Sequence, residues 1–263
     1  MTKHEDVKVV IFAGGMGTRL REETEYKPKP MVSVGGIPII LHIMKTYAHY
    51  GFNNFIIALG YKGDMIKQYF LNYLALNNDV EIDLSCNKVK FLSGLKEDIK
   101  VTLVDTGLKT MTGGRLKRLQ KYVGNNTFMA TYGDGVANIN LRKLYDFHKS
   151  HGKIATITGV RPSSRFGELN VDENIVMDFQ EKPQVDGSYI NGGFFVFEPK
   201  FFDYLRDDDS LILEKEPLEK VARDKNLVIF KHNGFWKCMD TYKDYLDLNR
   251  IWEESAPWTK LED

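Results

Sequence analysis

The chain has 263 residues, with hydrophobic residues at 43% and charged residues at 27%. This is ordinary globular composition and excludes a disordered or fibrous chain. Lys+Arg and Asp+Glu are both 36, so the net charge is zero; without a basic surplus, no nucleic-acid partner is expected. No apolar run approaches the roughly 20 residues of a membrane helix, so no membrane partner is expected either. The opening Met1-Thr-Lys-His-Glu-Asp6 lacks the long apolar core of a signal peptide. Cys86 and Cys238 are the only cysteines and have no CxxC spacing. Neither a disulfide framework nor a zinc site is expected, and the expected compartment is the reducing cytoplasm. No repeat or linker divides the chain, so residues 1–263 are read as one domain.

Val7 to Ala13 is a β-branched run without helical period, which suits a strand buried on both faces. A helix is expected over Ile37 to Tyr50, ended by Gly51. A second buried strand follows at Asn54–Leu59, then a helix from Asp64 to about Leu76. This βαβα opening implies a parallel sheet with right-handed crossovers. Further strands are expected at Val80–Leu84, Lys100–Val104, Thr127–Tyr132, Ile154–Val160, Ile190–Phe197 and Leu227–Phe230. Helical patterns separate them at Arg115–Tyr122, Leu141–His151, Lys200–Leu205 and Leu213–Asp224. Residues 80–104 carry strand signals with little helix and read as an antiparallel insertion.

Gly14-Gly-Met-Gly-Thr-Arg-Leu20 follows the first strand directly. Glycines let anions approach backbone amides, and Thr18 and Arg19 add a hydroxyl and a fixed cation. The glycines fall at 14, 15 and 17, so the loop is not the GxGxxG fingerprint. No GK[ST] follows, so it is not a P-loop. Downstream, Lys27-Pro-Lys-Pro-Met31 stiffens the backbone around Lys29. Loop and lysine together read as a phosphate cradle, with Lys29 toward the reacting phosphate and Lys27 toward solvent. Thr131-Tyr-Gly-Asp-Gly135 puts Asp134 at the carboxyl end of a strand, where α/β sheets bind ligands. Asp134 reads either as a ligand or as an Asp-Gly turn. Asp240 in Met239-Asp-Thr241 reads either as its partner in a Mg²⁺ site or as the N-cap of the following helix.

The ordered series GGMGTRL, KPKPM, YGDG, EKP (Glu181 to Pro183), NGGFFVF and MDT resembles the sugar-phosphate nucleotidyltransferases, from about residue 8 to residue 258. Within that family the tracts Leu103–Gly107, Met111–Arg118, Arg165–Gly167, Ile190–Phe195, Gly234–Trp236 and Ala256–Trp258 are most similar to those of the members that transfer a cytidylyl group to glucose 1-phosphate. The resemblance implies an α/β, Rossmann-like, mainly parallel mixed sheet flanked by helices. It implies the reaction of CTP with α-D-glucose 1-phosphate to CDP-glucose and pyrophosphate, a route toward dideoxysugars of surface polysaccharide. It also implies Mg²⁺ as cofactor and a homo-oligomer, specifically a hexamer.

By the same resemblance, Phe12, Ala13, Gly14, Gly15, Met16, Gly17, Thr18 and Arg19 match the triphosphate loop. Lys29 matches the charge-neutralising lysine, so Arg19 and Lys29 are the expected catalytic pair. Thr110, Arg115 and Gly133 match nucleotide contacts, with Arg115 a group that could reach a neighbouring subunit's site. Glu181, Lys182, Asn191 and Gly192 match the sugar-phosphate pocket, and Asp134 and Asp240 match the metal ligands. One departure is Lys237-Cys238, where the cytidylyl members are expected to carry Gln-Pro. The same chemistry with another nucleotide or sugar phosphate, and a non-catalytic regulatory homologue, remain open alternatives.

Overall fold

A computed structural model of the chain describes residues 7–92, 98–161, 168–172, 175–180 and 189–261. Seven strands form the central sheet: β1 (Lys8–Ala13), β2 (Asn54–Leu59), β3 (Lys100–Asp105), β4 (Phe128–Tyr132), β5 (Ala155–Val160), β6 (Ile190–Phe197) and β7 (Leu227–His232). Their spatial order is β7-β5-β6-β4-β1-β2-β3. β1 pairs in parallel with both β2 and β4. β6 runs antiparallel to both its neighbours, and the other pairings are parallel. The sheet is therefore mixed and mainly parallel, as expected.

The apolar run of β1 has a direct cause. Val9, Ile11 and Ala13 enter one core, with Ile39, Ile43 and Tyr47. Val10 and Phe12 enter a second core on the opposite face, with Leu116 and Leu119. A strand with apolar packing on both sides cannot alternate with polar residues. Helix α1 (Ile39–His49) covers the first face and helix α2 (Thr112–Arg118) the second. At the end of α1, Gly51 takes φ +83°. Its N–H donates to Ala48 O at 2.9 Å, and Phe52 N–H donates to Tyr47 O at 3.1 Å, a Schellman ending.

Three expectations are corrected. α1 begins at Ile39 because Ile37–Pro38 pairs with Ser33–Val34 as a short antiparallel ribbon. The helix expected to about Leu76 breaks at Asn72 into Gly63–Leu71 and Tyr73–Leu76. The antiparallel insertion is only the hairpin of Val80–Asp83 and Lys88–Phe91. Lys100–Asp105 instead joins the parallel sheet, because its half-buried Val101, Leu103 and buried Val104 pack beside β2. Among the described residues, no helix is long and apolar enough to cross a membrane.

Candidate active site

β1 and β4 are parallel neighbours, with Phe12 opposite Tyr132, so their carboxyl ends open on the same side. The glycine loop leaves β1 there, and Gly133-Asp134 leaves β4 there. A cavity of about 260 Å³ lies between them. Gly133 is required at this seam: its N–H donates to Phe12 O at 3.0 Å. A Cβ on Gly133 would stand 2.8 Å from that oxygen and 3.0 Å from Pro30 Cγ. Gly17 takes φ +62°, and its carbonyl accepts from Thr24 Oγ1 at 2.9 Å and Leu20 N at 2.9 Å, which tightens the loop.

Asp240 reaches the cavity through a second ribbon. Gly135–Ala137 pairs antiparallel with Trp236–Cys238, and Met239 N donates to Asp134 O at 2.8 Å. The helix that follows, Tyr242–Glu254, is capped by Thr241 and not by Asp240. Thr241 Oγ1 accepts from Asp244 N while Asp244 Oδ2 accepts from Thr241 N, a reciprocal capping box. The Asp240 carboxylate is thereby left to the cavity.

Lys29 sits in a 3-10 turn, Lys29–Met31, between Pro28 and Pro30. Its Nζ donates to Asp134 Oδ2 and to Asp240 Oδ1, each at 2.6 Å. Arg19 donates to the same Asp240 oxygen at 3.1 Å, with its side chain 70% exposed. Burial pulls the Lys29 pKa down, but the two carboxylates outweigh it and hold the ammonium above its ordinary value. Burial likewise pushes the Asp240 carboxyl up, and the Lys29 and Arg19 charges reverse that, holding it below the usual carboxylate range.

Phe12, Ala13, Gly15, Gly17, Thr18, Arg19, Lys29, Gly133, Asp134 and Asp240 all line the cavity. Other expected site residues stand off it. Met16 is 56% exposed. Gly14 is buried, and its carbonyl accepts from Tyr61 N at 3.2 Å and from Arg115 Nη2 at 3.0 Å. Arg115 is itself buried in its own chain, where it also donates to the carbonyls of Leu59 and Gly107 and to Thr106 Oγ1. Its position is that of a brace behind the glycine loop. Thr110 is buried and accepts from Arg118 at 2.8 Å. Asn191 and Gly192 lie at the head of β6, beside the cavity wall, where Asn191 Nδ2 reaches Tyr132 Oη at 3.3 Å. Glu181 and Lys182 lie outside the described residues.

The Lys237-Cys238 departure leaves the ribbon intact. Lys237 Nζ bonds Asp247 at 3.2 Å and approaches Asp244 at 3.7 Å, tying the ribbon to the last helix. Cys238 stays a thiol, pushed up to about 12 by burial and then by Asp240 and Asp134.

A family model described as Nucleotidyl transferase matches residues 8–255. The chain belongs to the nucleotidyl transferase family. A glucose-1-phosphate cytidylyltransferase of Salmonella typhi is 49% identical over 97% of this chain and 100% of that protein. The catalytic subunit beta of a mannose-1-phosphate guanylyltransferase of Dictyostelium discoideum is 30% identical over 91% of this chain and 63% of that protein. An inositol-1-phosphate CTP transferase structure from T. maritima shares the fold at a TM-score of 0.65 and 16% identity, covering 94% of this chain and 96% of its own.

In this nucleotidyl transferase, sequence reasoning missed Tyr132, Pro30 and Thr112, which also line the cavity. Tyr132 and Pro30 stood inside motifs already singled out, and adjacency to Gly133 and Lys29 was the available signal. Thr112 opens α2, within the Met111–Arg118 tract.

The donor set fits a hard divalent cation. Two carboxylates from separate loops already converge on one ammonium in a cavity open to phosphates. Mg²⁺ takes one or two protein carboxylates and fills its other positions with water and phosphate oxygens. Among the described residues there is no cluster of three or more His, Cys, Asp or Glu that would favour a protein-only metal cage.

Proposed function

We propose that the chain joins CTP and α-D-glucose 1-phosphate to give CDP-glucose and pyrophosphate. The carrying observation is the Lys29 ammonium held between Asp134 and Asp240 beside the glycine loop. The 49% identity to a glucose-1-phosphate cytidylyltransferase supports the choice of substrates.

The nucleophile is a phosphate oxygen of the sugar 1-phosphate, which attacks the α-phosphorus of CTP in line as pyrophosphate leaves. A phosphate monoester has its second pKa near about 6 and is mostly dianionic at neutral pH. It needs no general base, in keeping with a described cavity lining that contains no histidine. The barrier is the approach of two polyanions, so catalysis rests on positioning and charge neutralisation. Arg19 and the amides of the Gly14–Gly17 loop receive the β- and γ-phosphates, and Lys29 offsets charge at the reacting phosphates. Lys182 holds the sugar's phosphate and Glu181 accepts from sugar hydroxyls, roles that rest on the resemblance alone. Held by Asp134 and Asp240, Mg²⁺ would supply further neutralisation of the triphosphate.

We also read the chain as a homo-oligomer, a hexamer by resemblance. Exposed apolar side chains support it: Leu71 is 82% exposed and Leu84 83%. Leu71 lines an apolar groove with Phe70, Leu74 and Leu103. Sedimentation would test it, and a monomer at micromolar concentration would overturn it.

Pyrophosphate release tests the activity, crossing CTP, UTP, dTTP, GTP and ATP with several hexose 1-phosphates and Mg²⁺. Release confined to CTP with glucose 1-phosphate is expected. Release with another pair keeps the mechanism and moves the specificity. No release with any pair overturns the enzymatic reading.

A further inference from the structure

Behind the cavity wall lies a carboxylate that the mechanism does not use. Glu214 precedes the helix Glu216–Arg223 and does not line the cavity. Both its oxygens are taken by groups that do. Tyr132 Oη donates to Glu214 Oε1, and Thr112 Oγ1 donates to Glu214 Oε2 at 2.7 Å. One carboxylate thus links the end of β4 to the start of α2.

The direction of each bond follows from chemistry. An ionised carboxylate only accepts, so both hydroxyl protons point at Glu214. The remaining bonds arrive from nitrogen donors: Leu213 N–H donates to Thr112 Oγ1 at 3.0 Å, and Asn191 Nδ2 donates to Tyr132 Oη at 3.3 Å. Asn191 cannot turn its amide around, because its Oδ1 accepts from Gly193 N at 2.8 Å. Each hydroxyl has spent its one proton, and what it can still offer the cavity is a lone pair.

We propose that Glu214 is a positioning residue that makes the Tyr132–Thr112 wall an acceptor surface, selecting a ligand that brings hydroxyl donors to it. The ligand class is a sugar 1-phosphate with free ring hydroxyls, and this assignment rests on the proposed function above. Asn191, which the resemblance assigns to the sugar-phosphate pocket, supports the sugar end: its Nδ2 meets Tyr132 Oη, and the Tyr132 ring packs on Gly193 at the head of β6. The triphosphate arm of CTP carries acceptors only, but its ribose hydroxyls and cytosine amine are donors, so the KM for CTP in the variants is what separates nucleotide from sugar at this wall.

The test uses deoxyfluoro analogues of glucose 1-phosphate, in which fluorine replaces one hydroxyl at a time. Fluorine keeps the size but cannot donate. Wild type is expected to discriminate against at least one analogue by about tenfold in kcat/KM, the loss of one hydrogen bond. In Glu214→Gln the amide can accept one hydroxyl proton but must donate to the other oxygen. That hydroxyl is freed to donate into the cavity, and the discrimination should shrink to within about threefold. KM for CTP should change little.

A merely structural Glu214 would lower Tm and leave the analogue profile alone, and that result would overturn the proposal. If Glu214→Gln does not fold, Thr112→Val and Tyr132→Phe carry the test, because each removes one acceptor. An unchanged profile in both would also overturn it. Wild type inactive with CTP and glucose 1-phosphate itself would instead remove the proposed function, and this inference with it.

Discussion

The amide of Met239 donates to the carbonyl of Asp134 at 2.8 Å, and this backbone bond sets two distant carboxylates over one cavity. The ribbon runs back from this bond, with Cys238 opposite Gly135 and Trp236 opposite Ala137. A carboxylate pair built on backbone pairing is held without relying on flexible side chains. The resulting crowding of negative charge is relieved by Lys29, which touches both.

Lys29→Met should lower kcat/KM by about 10²–10³, the scale of losing one preorganised group at a site of charge development. The 3-10 turn survives, because Pro28 and Pro30 shape it and the side chain does not. Circular dichroism should therefore match wild type while pyrophosphate release collapses. Turnover within a few-fold of wild type would remove Lys29 from its assigned role.

Asp134→Asn and Asp240→Asn should each move the Mg²⁺ dependence of turnover to higher concentration. An amide offers the metal a neutral oxygen where a charged one stood. Asp240→Asn should leave the last helix stable, because Thr241 and Asp244 provide its cap. Magnesium titration curves that overlay wild type would return both aspartates to turn-forming roles.

Gly133→Ala is expected to be worse than its size suggests. The added methyl would meet Phe12 O at 2.8 Å and Pro30 Cγ at 3.0 Å, between β1 and the Lys29 turn. Neither neighbour is the far end of a flexible side chain. A loss of about 1–3 kcal/mol, typical of overpacking, is expected in urea denaturation. A midpoint equal to wild type would show that the seam can open freely.

Much of this was legible before the structure, for identifiable reasons. The run Val7–Ala13 has no polar alternation because both faces are packed, so its pattern alone placed it centrally. Gly14 and Asp134 each carried a local signature at a strand end, and Lys29 carried one between two prolines. Whether Asp240 caps the last helix was not decidable locally, since an aspartate two residues before Tyr242 also fits; the Thr241–Asp244 box shows that Thr241 is the cap. The resemblance makes Arg115 a nucleotide contact, yet in the fold it donates to the carbonyls of Leu59, Gly107 and Gly14, of which Leu59 and Gly14 are distant in sequence. The Glu214 link was invisible because its partners Thr112 and Tyr132 meet it only through the fold.

His148 should give the protein an acid-sensitive stability unrelated to catalysis. It lies on the helix Leu141–His151, is 1% exposed, and its Nδ1 bonds Thr156 Oγ1 at 2.8 Å. His151 Nε2 meets the same hydroxyl at 2.8 Å. Lys149 and His151 face it with like charge when protonated, and Glu198 Oε1 stands 3.4 Å from its Nε2. Burial dominates and lowers its pKa to about 4 from an ordinary 6.5, against the pull of Glu198. The unfolded chain therefore binds more protons between those values, and stability must fall as pH drops through that window. The contribution is fully present above about pH 6.5 and amounts to about 3 kcal/mol by the linkage relation. Buried His42 and partly buried His232 shift in the same direction and add to the slope. Urea denaturation should thus hold level from about pH 7.5 to about pH 6.5 and lose stability from there to about pH 4.5, and His148→Gln should flatten part of that loss. A variant whose midpoint follows the wild-type pH curve in parallel would show that His148 is not the titrating group.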